Sequence, residues 1–151
     1  MMHALSQLRY TAKLMAPEGK LFVRCFGEFE VFRDGIPLTS LTKKAKELFA
    51  YLIDKVGAMS SSTEIIRTLF FDSADSYYRV AKMNLEKALG EAGAGDVLIK
   101  EWGKLGIDRR KVFCDYYEYL TGNPSTVNLY KGSYMSQYDW AKHTLKKLNN
   151  T

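Results

Sequence analysis

The chain has 151 residues, 46% of them hydrophobic, with 22 Lys and Arg against 17 Asp and Glu for a formal charge of +5. This suits one domain, or one domain with appendages, and supplies enough apolar side chain for a packed core, so disorder is not the default. The modest basic excess fits either a nucleic-acid binder or an ordinary solvated surface.

Residues 1–19 mix polar and apolar side chains and close on Ala16-Pro17-Glu18-Gly19, which reads as a lead-in or linker. Leu5 and Leu8 allow a short helical turn within it. Residues 21–38 are dense in strand formers. Leu21–Phe26 predicts one strand broken at Gly27, and Phe29–Phe32 a second. Asp34-Gly35 is a hairpin turn signal, because both residue types tolerate positive φ. Ile36-Pro37-Leu38 is the return strand, and its proline argues for an edge or a strand end.

The period then changes. Ala45, Leu48, Phe49, Leu52, Ile53 and Val56 share one helical face, with Thr42 as N-cap and Gly57 as stop. Ser61 and Glu64 have capping-box spacing at the head of a second helix, whose buried side is Ile65, Ile66 and Leu69. A third helix runs from about Ser76 to Ala92. Its inner face is Tyr78, Ala81, Leu85, Ala88 and Ala92, with Arg79, Lys82, Met83, Glu86 and Lys87 on the others. Val97–Lys100 and Leu105–Asp108 predict two strands joined by a turn at Glu101–Lys104, where Trp102 is expected to pack back onto the helices. The Tyr-rich tail predicts helices near 115–120 and 139–148. Leu48, Phe49, Leu52, Ile65, Leu69, Leu85 and Leu89 should be buried together, and Tyr134, Tyr138 and Trp140 should pack rather than hang in water.

The expected fold is α+β: a winged helix-turn-helix with an N-terminal antiparallel sheet, a three-helix core, a C-terminal hairpin wing and a short helical tail. In that layout the third helix enters the major groove of DNA and the hairpin lies along the backbone. One helix face must be apolar, and the other must carry donors for phosphates and base edges. Arg79 suits guanine or phosphate through its planar fork, and Lys82 and Lys87 reach phosphate as point charges. Asn84 lies nearer the buried side. Lys100 and Lys104 belong to the hairpin, with Arg109, Arg110 and Lys111 beyond it. Lys43, Lys44 and Lys46 open the first helix against its dipole, a mild conflict that hints at another purpose. Ser60-Ser61-Ser62-Thr63 places hydroxyls and free N–H groups, Ser61 and Ser62 foremost, at the start of the second helix as a phosphate seat. Each of these also has a plain reading, as a solvated face or a helix cap, and Glu86 and Glu91 put negative charge near the same surface.

The segments CFGEFEVFRDGIPL (25–38), KAKELFAYLIDKVGAMSS (44–61), DVLIKEWGKLGID (96–108) and CDYYEYL (114–120) resemble the winged-helix effector domain of the OmpR-like class. More narrowly they resemble the SARP-type regulators, output domains of bacterial response regulators in two-component systems. LYKGSYMSQYDWAKHTL (129–145) is similar to the tail that follows the winged helix there, related to the start of the bacterial transcriptional activation domain. The resemblance covers residues 20–148. It implies a four-stranded sheet ahead of the three helices, promoter DNA as ligand and contact with RNA polymerase. ALSQLRY (4–10) resembles the linker after a receiver domain, so a receiver in a longer chain is a further partner it allows, as is a second copy of this chain. The division implied is a lead-in at 1–19, a DNA-binding domain at 20–113 and a helical tail at 114–151. Leu85-Glu86-Lys87-Ala88-Leu89 departs from recognition helices that carry several arginines.

The rival reading is a winged-helix protein–protein interaction module without DNA binding, which Glu86 and the low helix charge favour. An enzyme ranks far below. His3 and His143 sit near the termini, and no nucleophile–base pair, glycine-rich phosphate loop or metal cluster is visible. No cofactor is expected. Cys25 and Cys114 lack the spacing of a zinc site and read as buried thiols or a disulfide pair. No apolar run is long enough to span a bilayer, and MMHALSQLRY lacks the apolar core of a signal peptide, so a cytoplasmic protein is expected.

Overall fold

The computed structural model describes residues 17, 19–71, 74–124 and 128–150. The expected turn at Leu5 and Leu8, the linker-like ALSQLRY and His3 lie outside them, as does nearly all of the lead-in. The first strand, β1 (Leu21–Arg24), pairs antiparallel with β2 (Glu30–Arg33), which pairs with the edge strand β3 (Ile36–Pro37). Asp34 and Gly35 take φ of 49° and 82°, the left-handed pair that a two-residue hairpin needs. Pro37 sits on the sheet edge, where its missing N–H breaks no ladder.

The fourth strand corrects the expectation of four strands ahead of the helices. It is β7 (Val112–Cys114), which comes after the helices and runs parallel to β1, giving the order β3-β2-β1-β7. Leu21, Val23 and Val31 point into the main core, while Phe22 and Phe32, register partners with rings 5.6 Å apart, pack on the other face.

The sheet covers helix α1 (Lys43–Asp54), in which seven residues from Ala45 to Ile53 are buried. Thr42 caps it by accepting from the Ala45 N–H. The helix stops at Asp54. Val56 therefore does not extend its apolar face as the spacing predicts: it has φ 55°, left-handed and costly for a β-branched residue, just before Gly57 at 91°. Helices α2 (Ser62–Leu69) and α3 (Asp75–Glu91) pack on α1, and all seven predicted core residues are buried together. Strands β5 (Leu98–Glu101) and β6 (Lys104–Ile107) form the expected hairpin, and β4 (Ser60–Ser61) adds to β6 in a second, three-stranded sheet.

The tail is part of this body. It holds α4 (Asp115–Leu120) and α5 (Lys142–Asn149), and β7 runs across the 113/114 division suggested by resemblance. Residues 133–136 bond to the end of β1: Met135 N–H reaches the Cys25 carbonyl (2.7 Å), and Gly27 N–H reaches Ser133 (2.9 Å). Gln137 exchanges two hydrogen bonds with the Phe29 backbone. Tyr134 is fully buried, and Tyr138 stacks on Trp140, as their apolar character requires. Among the described residues no helix is long and apolar enough to cross a membrane.

At the junction sits Asp115, buried, accepting N–H bonds from Cys25 (2.7 Å), Phe26 (3.1 Å) and Tyr116 (2.8 Å). Desolvation outweighs these donors and pushes its carboxyl from 3.8 up to about 6. The folded chain thus holds this proton more tightly than the unfolded chain. Its stabilising contribution is complete below about pH 4 and is lost as pH rises through about 6. Denaturant unfolding across this window should show stability falling by about 2–3 kcal/mol toward high pH. The Asp115→Asn variant should lose that slope; an unchanged slope would mean that Asp115 does not titrate there.

Candidate nucleic-acid interface

On α3 the residues Tyr78, Ala81, Leu85, Ala88 and Leu89 face the core, so its position is fixed by packing against α1. This leaves Arg79, Met83 and Lys87 outward and exposed, with Lys82 and Glu86 half-buried on one flank. Arg79 and Lys82 lie about one turn apart, as the spacing predicts. Among the described residues, neither they nor Lys87 has an ion-pair or hydrogen-bond partner.

The hairpin borders that flank. Lys100 reaches from β5 to Glu86, with Nζ 3.1 Å from the carboxylate. This pair pins the hairpin to the helix and leaves Lys100 partly neutralised. Lys104 is exposed at the start of β6, opposite Ser61 on one side and Glu101 on the other. Arg110 and Lys111, also expected to be available, pair with Asp108 and Asp96. Arg109 lies over the Tyr117 ring.

Trp102 corrects the expectation of packing. It is 100% exposed at the tip of the hairpin. A two-residue turn, with Gly103 at φ 69°, projects it past the last strand pair into solvent.

The serine run is less open than expected. Ser60 is buried in β4, and among the described residues its hydroxyl has no partner. Ser61 is the N-cap of α2, its Oγ accepting from Glu64 N–H (3.1 Å). Ser62 N–H donates to the Gly103 carbonyl (2.9 Å). Two of the N–H groups read as free for phosphate are thus already bonded. The Glu64 carboxylate accepts instead from the Tyr51 hydroxyl.

The lysines that open α1 also divide. Lys44 Nζ donates to the Leu69 carbonyl (2.6 Å) and to Glu47 (2.9 Å), so it caps the C-terminal end of α2. Lys46 pairs with Glu30 (3.0 Å). Much of the charge placed against the dipole of α1 is therefore structural. Lys43 is exposed and, among the described residues, has no such partner.

Beyond the far flank of α3 lies an open groove of about 810 Å³, lined by Lys43, Phe70, Phe71, Tyr77, Val80 and Asn84 among others. Phe71 is 83% exposed and held at φ 49°, unusual for a bulky residue. Spacing alone does not reveal this surface, because its side chains come from three helix ends.

The fold also brings Cys25, Cys114 and Asp115 within 4.8 Å of one another, a cluster that the cysteine spacing could not disclose. Both Asp115 oxygens already accept backbone N–H groups. The thiols lie 3.5 Å apart in a hydrogen bond, and burial pushes Cys25 well above its ordinary value. This is the chemistry of a buried structural cluster, with free thiols and carboxyl oxygens whose lone pairs are already in use.

The fold is similar to that of Mycobacterium tuberculosis EmbR, solved in complex with a low affinity phosphopeptide, with a TM-score of 0.65 at 16% identity. The match covers 87% of this chain and 42% of that one, and at this identity the likeness is one of fold. No family model matches the chain, and no curated protein does.

The serines give a direct check on the local account. Ser61→Ala should lower stability by about 1 kcal/mol through loss of the N-cap. Ser60→Ala should be neutral or stabilising, since it removes a buried hydroxyl without a partner among the described residues. Thermal melts showing the reverse order would mean that the start of α2 is built differently.

Proposed function

We propose that the chain is the DNA-binding part of a transcription regulator, a winged helix whose third helix, α3, enters the major groove while the β5–β6 hairpin lies along the flanking backbone. The observation that carries this reading is the set of uncompensated cations on and beside one helix. Arg79, Lys82 and Lys87 lack protein partners among the described residues, and Lys104 projects from the adjoining hairpin. The order of three helices and a hairpin supports it, as does the resemblance to SARP-type regulators. The reading is of a binding protein, not an enzyme.

Within the expected contact set, Arg79, Lys82, Lys87 and Lys104 are the direct DNA ligands. Lys100 positions the hairpin through Glu86, Ser61 and Ser62 line the phosphate path beside it, and Lys43 and Lys44 border the groove on the other side. Residues 20–113 hold the DNA-contacting elements. The tail at 114–151, like the start of an activation domain, braces them and is the part nearest in kind to a polymerase-directed segment. RNA polymerase, a second copy and a receiver domain in a longer chain are the partners that this class implies.

A second reading rests on the exposed Phe71, Tyr77 and Val80 beside that groove. They are a surface for an apolar protein partner, and an interaction module would use it in place of DNA.

Salt separates the two, because neutralised phosphates release counterions. In titrations of promoter fragments at two salt concentrations, Lys104→Ala should weaken binding to all sequences alike and flatten the log–log slope by about one unit. Arg79→Ala should cost about 1–3 kcal/mol, part of it specific to one base pair if the contact is to a base edge. If the wild type binds no better than the double variant at low salt, the interaction module takes the place of the DNA reader.

A further inference from the structure

Of the eight large apolar side chains that the described residues leave exposed, four gather at one place: Phe71, Tyr77, Val80 and Met83. Tyr77, Val80 and Met83 follow one another in steps of three along α3, and Phe71 stands just past the end of α2. Together they expose on the order of 500 Å², the size of the largest apolar patch on an ordinary monomer, which is often functional.

Phe71 is the projecting part of this patch. Its φ of 49° is costly for a bulky residue, and strain of this kind clusters at functional contacts. The groove of about 810 Å³ beside it is the receiving part. The floor of the groove is firm. Phe70 is buried, with its ring edge-on to Tyr78 at 6.1 Å, and Lys44 Nζ lies over that ring while bonded to the Leu69 carbonyl and to Glu47. Little is left to order on binding. Opposite charges flank the pair. Lys43 lines the groove and Asp75 opens α3; both are exposed, and among the described residues neither has an ion-pair or hydrogen-bond partner.

We infer that this patch is a two-fold interface between two copies of the chain, in which Phe71 of each copy enters the groove of the other and Lys43 of each meets Asp75 of the other. A second copy suits the patch better than a foreign protein. Knob, groove and both charges lie together, and a two-fold axis requires one surface that complements itself. A foreign partner has to match each of them separately. Duplex DNA suits the groove less, because phosphates call for donors and the groove offers mainly rings and aliphatic side chains. The exposed apolar area supplies the centre of the roughly 800 Å² that each side of a stable complex contributes, and leaves the charged residues for the rim. One consequence rests on the DNA reading above. Arg79 and Met83 rise from the same stretch of α3, so the dimer covers part of the face assigned to the major groove, and dimer and duplex exclude one another.

The experiment is sedimentation velocity on the full chain over a wide concentration range, with and without a mixed-sequence duplex. The wild type should pass from monomer to dimer and stop there, and the dimer should persist at high salt because its centre is apolar. Phe71→Asp, at a side chain that the fold leaves exposed, should keep the wild-type melt and weaken the dimer by about thirtyfold or more. At low salt, Lys43→Glu and Asp75→Lys should each dimerise poorly alone. An equimolar mixture of the two should dimerise again, because every charge then meets its opposite across the interface. At concentrations where the wild type is dimeric, Phe71→Asp should bind the duplex several-fold more tightly. A wild type that stays monomeric refutes the interface and leaves the patch to a foreign partner. A Phe71→Asp variant as dimeric as the wild type refutes it by placing the contact elsewhere. Growth beyond the dimer makes the contact head-to-tail and refutes the two-fold axis. A mixture no more dimeric than its components refutes the pairing of Lys43 with Asp75. If wild type and Phe71→Asp bind duplex equally, the competition is refuted while the dimer stands. If neither binds duplex at low salt, the DNA reading falls and the competition with it, and sedimentation alone decides the dimer.

Discussion

Where β1 ends, the N–H groups of Cys25 and Phe26 leave the strand ladder inside the core, and a buried donor without an acceptor costs about 1–3 kcal/mol. One carboxylate answers both. Asp115 arrives about 90 residues later in the chain, at the end of the parallel strand β7, and its position there fixes three things at once. It closes the four-stranded sheet, it starts α4, and it sets the point from which residues 133–136 return to bond the Cys25–Gly27 backbone. The sheet, the helices and the tail are therefore one object. The carboxylate and two of the donors that it satisfies lie on the two sides of the 113/114 division.

Around that junction, α1 is the axle. Its C-terminal end is held from the tail: Tyr117 donates to the Ile53 carbonyl, and Tyr134 and Thr144 both donate to Asp54 at 2.7 Å. Near its N-terminal end, Lys44 reaches the last carbonyl of α2, and Trp140 donates to Glu47. Because α3 lies against α1, these contacts decide where Arg79, Lys82 and Lys87 point. They also separate two kinds of lysine that look alike in sequence. Lys44, Lys46 and Lys100 brace elements against one another, and Lys43, Lys82, Lys87 and Lys104 remain for a ligand.

What was legible in the sequence was local. The Asp34-Gly35 turn, the Thr42 and Ser61 caps, the inward face of α3 and the presence of the hairpin all follow from signals within a few residues, although the hairpin turn is two residues rather than four. What was not legible depends on distant residues meeting. The strand after residue 111 is only three residues long and pairs with one some 90 positions earlier, so no periodicity announces its parallel partner. The Cys25–Cys114–Asp115 cluster follows from that same pairing. Val56 fits the helical spacing, but the chain turns left-handed there to reach Gly57, and spacing does not carry that change of backbone. Of the candidate contacts, residue type and helical phase singled out Arg79, Lys82 and Lys87, and the hairpin signal singled out Lys104; the structure leaves all four exposed or half-buried. The groove beside Phe71 and the exposure of Trp102 depended on which neighbours the fold leaves out.

The central claim is that one continuous surface, from the outer face of α3 to the hairpin tip, receives duplex DNA. Amide chemical-shift mapping of the full chain during titration with duplex tests it most directly. The account predicts shifts concentrated at Arg79, Lys82, Met83 and Lys87 and at Trp102, Gly103 and Lys104, with the β2 and β3 strands unmoved. Shifts confined to Phe71, Tyr77 and Val80, or an absence of shifts at low salt, would contradict it.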